Sequence, residues 1–140
     1  MTGTDDGALV TLPEDECWEL LGLRPVGRIA FIDADGRQQL LPVNYALHGR
    51  CVYVRTATGT VLGALADGHD DVALQADHVE DLYQQAWSVT ATGTVHEVTD
   101  QDMIEQVARS GRPRPWVPGE RDLLLEMTPQ RIDGRRVRQH

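Results

Sequence analysis

Residues 52–65, VYVRTATGTVLGAL, carry the reading that decides the fold. Val52-Tyr53-Val54-Arg55-Thr56 alternates as a strand rich in β-formers. Ala57-Thr58-Gly59-Thr60 is a turn. Val61, Leu62 and Leu65 then share one helical face, which Asp67-Gly68 closes. A strand that runs through a glycine turn into a helix points backbone N–H groups at one spot, where the helix dipole adds partial positive charge. Arg55 can fork two donors onto a phosphate, and the hydroxyls of Thr56, Thr58 and Thr60 reach the same region. The competing interpretation is a capped surface helix with Arg55 exposed on an edge strand.

Strands arrive upstream in hairpins. VGRIAFID (26–33) and QQLLPVNYAL (38–47) flank Ala34-Asp35-Gly36-Arg37, an Asp-Gly turn. Pro42 marks an edge or a bulge. His48-Gly49-Arg50 turns into the third strand, so 26–56 is a three-stranded meander. Downstream, DVALQAD (71–77) and WSVTATGTVHEV (87–98) are strands, the second bent at Gly93. Residues 123–128 and 131–137 make either a final strand pair or one strand with a bulge. Short helices surround these strands. The first follows Thr11 as cap and Pro13 as first helical residue, and buries Cys17, Leu20 and Leu21. Another starts at Thr99 and buries Met103, Ile104, Val107 and Ala108. The 111–120 segment GRPRPWVPGE is a loop. Six to seven antiparallel strands with short peripheral helices predict a mainly β, α+β barrel. The 140 residues suit one domain over 11–137, with tails at 1–10 and 138–140.

Charge narrows the function classes. The net charge is −9, which disfavours nucleic-acid binding. Eight of the thirteen basic residues follow position 105, so the C-terminal segment is locally basic. Lysine is absent, which excludes a Schiff-base lysine and a Walker A lysine. No apolar run approaches ~18 residues, so no membrane helix is expected. The acidic N-terminus is unlike a signal peptide, and a cytoplasmic protein is expected. Cys17 and Cys51 lie outside any zinc-ligand spacing. His69 and His78, with Asp70, Asp71 and Asp77 between them, lack tight metal-ligand spacing. GxSxG, HExxH and Rossmann motifs are absent.

In order and spacing, these segments resemble the pyridoxamine 5'-phosphate oxidase-like flavin-binding split barrels. Residues 52–65 resemble that family's arginine-threonine-glycine phosphate motif. Leu12-Pro13 opens the helix that precedes Gly27-Arg28-Ile29-Ala30. Leu41-Pro42-Val43-Asn44-Tyr45 is similar to the strand that borders the flavin ring, and Trp87-Ser88 to the strand reaching the cofactor. Trp116-Val117-Pro118-Gly119 and Ile132-Asp133-Gly134-Arg135-Arg136 resemble the actinobacterial branch. The resemblance implies an FMN-binding split β-barrel, a homodimer with FMN at its interface, and a flavin-dependent oxidoreductase. It implies a small-molecule substrate and a reduced nicotinamide donor. The variants are a deazaflavin coenzyme or a binding module without turnover. Arg55, Thr56, Gly59 and Thr60 would hold the phosphate; Leu41 to Tyr45, Trp87 and Ser88 would line the ring. Core packing is the alternative for Tyr45 and Trp87. One departure stands out: Val61 occupies the place where the family commonly carries a lysine.

Overall fold

The computed structural model describes residues 7–110 and 122–139. Eight strands form one antiparallel sheet: β1 (Gly7–Thr11), β2 (Val26–Ile32), β3 (Gln38–Asn44), β4 (Ala46–His48), β5 (Cys51–Thr56), β6 (His69–Glu80), β7 (Gln85–Glu97) and β8 (Leu123–Gln139). The order across the sheet is β3-β2-β6-β7-β8-β5-β4, with β1 added to β8. The sheet curls until β3 approaches β5, which makes the split barrel. Two α-helices, α1 (Glu14–Leu21) and α2 (Gln101–Arg109), and a 3-10 helix (Leu62–Asp67) complete the elements of the described residues. No helix among the described residues is long and apolar enough to cross a membrane.

Local chemistry explains the elements. The Asp33 carboxylate accepts from the N–H groups of Asp35 and Arg37, both at 2.9 Å, and Gly36 takes φ +79° in the β2–β3 turn. Alternation along β2 buries Gly27, Ile29 and Phe31 and turns Arg28 outward. Ile29 and Phe31 join Val52, Val54, Leu74, Val89 and Leu125 in the barrel core. The apolar face of α1 (Cys17, Leu20 and Leu21) packs onto the same core. Burial is the main cause of the raised Cys17 thiol pKa. A second cluster, Tyr53, Val98, Val107 and Leu124, sits between the sheet and α2.

Several sequence expectations change. The strands number eight because residues 38–47 break at Tyr45, and because the expected N-terminal tail forms β1. There Leu9 lies opposite Val137. Likewise β8 continues to Gln139, beyond the expected boundary at 137. Of the two alternatives for the last two segments, the single strand with a bulge is the one that forms, 17 residues long. Its register against β7 shifts between Thr92 and Gly93, leaving Gln130 as the extra residue between Pro129 and Arg131. Pro13 rather than Thr11 precedes α1, without a side-chain cap, because Thr11 is paired in β1. Asp100 rather than Thr99 caps α2, accepting from the Asp102 N–H at 3.0 Å. The 62–67 segment is a 3-10 helix in which Val61 stays outside, 50% exposed. The 111–120 segment, including Trp116-Val117-Pro118-Gly119, lies outside the described residues.

Candidate functional site

The turn between β5 and the 3-10 helix is built as a closed hydrogen-bonded unit. Thr56 ends β5 at 6% exposure, its Oγ1 3.0 Å from that of Thr60. The Thr60 hydroxyl donates to the Ala57 carbonyl at 2.7 Å and accepts from the Gly63 N–H at 2.9 Å. A Cβ at Gly63 would lie 2.3 Å from the Ala57 oxygen, so this closure requires glycine. Gly59 takes φ +86° at the tip. The Thr58 N–H donates to Asp122 Oδ1 at 3.0 Å, and its hydroxyl donates to Oδ2 at 2.6 Å. Those two bonds hold the Asp122 carboxyl below the usual carboxylate range, the hydroxyl contributing more than the backbone N–H.

Alternation separates the residues that the sequence groups together. Val52, Val54 and Thr56 face the barrel interior, whereas Cys51, Tyr53 and Arg55 share the opposite face. Arg55, half-buried, lies opposite Leu124. Thus Arg55 and the Thr56–Thr60 pair do not converge from one face. In β3, Leu41 and Val43 point to the core, while Pro42 is exposed and Asn44 half-buried. Tyr45 is a core residue at 2% exposure, and its hydroxyl donates to the Leu21 carbonyl at the end of α1 at 2.5 Å. It therefore lines no surface on this protomer. Trp87 is half-buried and packs against the core; Ser88 faces outward, opposite Asp77 on β6 and Arg135 on β8. Arg28 reaches Asp77 at 3.6 Å, so Arg28, Asp77, Ser88 and Arg135 form a polar patch on the outer sheet face.

Sequence reasoning missed two features. Asp122 is one; nothing local links it to Thr58, 64 residues away. The second lies below α2. Tyr53 donates to Glu126 Oε2, and His96 Nε2 lies 3.2 Å from Glu126 Oε1. Burial first, and then Glu126, push the Tyr53 phenol well above its ordinary value. The lone acid within the apolar run Leu123–Met127 was a usable signal, since a carboxylate there needs a partner. His69 instead lies edge-on to Phe31, and His78 pairs with Glu80 at 2.9 Å. Among the described residues no group of three His, Cys, Asp or Glu is placed to hold a metal.

Residues 13–136 match the family model described as pyridoxamine 5'-phosphate oxidase. A Mycobacterium tuberculosis relative, uncharacterized protein Rv0080, is 34% identical over 134 residues, covering 92% of this chain and 86% of its own. The structure of the FAD binding protein from Mycobacterium smegmatis superposes with a TM-score of 0.75 at 29% identity, covering 92% of this chain and 98% of that one. A Corynebacterium glutamicum structure named for the same oxidase gives a TM-score of 0.77 at 27% identity, with 99% of each chain covered.

Proposed function

The chain belongs to the pyridoxamine 5'-phosphate oxidase family, and from that premise we propose that it is a flavin-binding oxidoreductase that works as a homodimer. The observation that carries this reading is the family match over residues 13–136, which spans the chain from α1 into β8. The description of the Mycobacterium smegmatis neighbour as an FAD binding protein supports a flavin. A bound flavin would supply hydride chemistry between a reduced nicotinamide donor and a small-molecule acceptor. The chain's part is to bind and orient. The outer polar patch around Ser88, with Pro42 and Asn44 toward the β3 edge, offers hydrogen-bond partners for a polar ring edge.

Support for the dimer comes from the same outer face. Val79, Ala86, Val137 and Leu9 are cross-strand neighbours in one row over β6, β7, β8 and β1. Val79 and Leu9 are 62% and 63% exposed, an apolar row that an isologous partner would cover.

FMN, FAD and a deazaflavin coenzyme are the forms to separate. The deciding experiment titrates the purified protein with each, follows flavin fluorescence, and then supplies NADH or NADPH with an artificial acceptor. Binding with turnover is expected. Binding without electron transfer would make the chain a carrier or sensing module. No binding of any form would overturn the flavin reading.

A further inference from the structure

The β5 turn does not fit a terminal phosphate, although the family resemblance implies one there. We propose that Asp122 is a specificity-determining residue: its carboxylate stands in the place of a terminal phosphate at this turn, so the chain recognises its flavin without a phosphomonoester. This inference rests on the flavin reading and deepens it.

Proton counting at the turn carries the argument. A hydroxyl has one proton to donate and two lone pairs. The Thr60 proton goes to the Ala57 carbonyl, and one lone pair takes the Gly63 N–H. Its contact with Thr56 at 3.0 Å must therefore be donated by Thr56. That spends the Thr56 proton as well: Thr60 has no proton or lone pair left, and Thr56 presents only lone pairs to an approaching anion. Thr58, the remaining hydroxyl, spends its proton and its N–H on the two oxygens of Asp122. An ionised carboxylate thus takes the paired donors that an anionic ligand would use. Charge reinforces this. Val61 presents an exposed apolar side chain where a cation would stand, and Arg55 lies on the other face of β5. A dianionic phosphomonoester would meet a fixed negative charge with no facing cation among the described residues.

The test compares riboflavin with FMN, which differ by the phosphate alone, on the full-length protein. In the wild type the two dissociation constants should agree within about threefold, because the phosphate gains no net charge-assisted bonds. Asp122→Asn should tighten FMN about tenfold and leave riboflavin unchanged. Val61→Lys in that background should tighten FMN again. Wild-type FMN binding ~30-fold or more tighter than riboflavin would overturn the proposal. So would an Asp122→Asn variant with an unaltered FMN-to-riboflavin ratio. If neither flavin binds the wild type, the flavin reading itself fails. The role of Asp122 is then decided by the Thr58 amide resonance under titration with inorganic phosphate. A silent wild type with a responding Asp122→Asn variant supports it, and any other pattern overturns it.

Discussion

Tyr53, at 1% exposure, donates a hydrogen bond from its phenolic hydroxyl to the carboxylate of Glu126. The pair joins β5 to β8 on the face that α2 covers, and Glu126 turns its other oxygen to His96. A phenol in this position is favoured only while it keeps its proton. In the unfolded chain it ionises near 10.0, and in the folded chain well above that. The folded value is raised, so the stabilisation is complete below pH 10 and is lost as pH rises through the folded value. Urea denaturation of wild type and Tyr53→Phe across pH 7–11 should show this. Removing the hydroxyl is expected to cost about 1–3 kcal/mol at neutral pH. The difference between the two proteins should shrink above pH 10; a constant difference would disprove the linkage.

Tyr45→Phe tests a structural tyrosine. Its hydroxyl serves only folded-state contacts on this protomer, among them the bond to the Leu21 carbonyl. Loss of about 0.5–1.5 kcal/mol in chemical denaturation is expected, with flavin affinity unchanged. A large loss of affinity with intact stability would return Tyr45 to the cofactor.

Gly93→Ala tests the bulge. A Cβ there would lie 2.0 Å from the Thr128 carbonyl oxygen, and backbone cannot move aside as a flexible side chain can. Destabilisation of about 1–3 kcal/mol or more is expected in thermal melts. A wild-type melting temperature would show that β7 and β8 separate more freely than their pairing implies.

Val79→Asp tests the proposed dimer. A charge at the β6 end of the row Val79–Ala86–Val137 should shift light-scattering mass from dimer to monomer. Because Val79 is 62% exposed on the protomer, its fold should survive, as far-UV circular dichroism would verify. An unaltered mass would move the interface elsewhere.

Much of the architecture was legible in the chain. Period-two alternation and the Asp35-Gly36 turn exposed the β2–β3 hairpin, and the order of segments exposed the family; the expected three-stranded meander over 26–56 instead divides at Tyr45, with β3 and the β4–β5 hairpin at opposite ends of the strand order. The losses have a common physical origin. Thr58 meets Asp122 and Leu9 meets Val137 over separations that no local pattern encodes. Turn and cap identities moved by one or two residues because pairing in β1 claimed Thr11, and because the Asp100 carboxylate, rather than Thr99, reached the first turn of α2. The candidate site was harder to read than the fold. Spacing along a sequence measures proximity of backbones, and strand alternation sends adjacent side chains such as Arg55 and Thr56 to opposite faces.

The bulge at Gln130 makes β8 a strand written in two reading frames. Before it, the odd positions Leu125 and Met127 face inward; after it, Ile132 and Gly134 do, at even positions. A single-residue deletion at Gln130 would therefore merge the two frames into one, because Pro129 and Arg131 already pair with the consecutive residues Gly93 and Thr92. Ile132 and Gly134 would keep facing the barrel and Arg131, Asp133 and Arg135 the outer face, and only the local bend would be lost. Homologues that lack this one residue should carry the same polar pattern over the rest of the strand in an unbroken alternation, and an alignment should place its gap at Gln130.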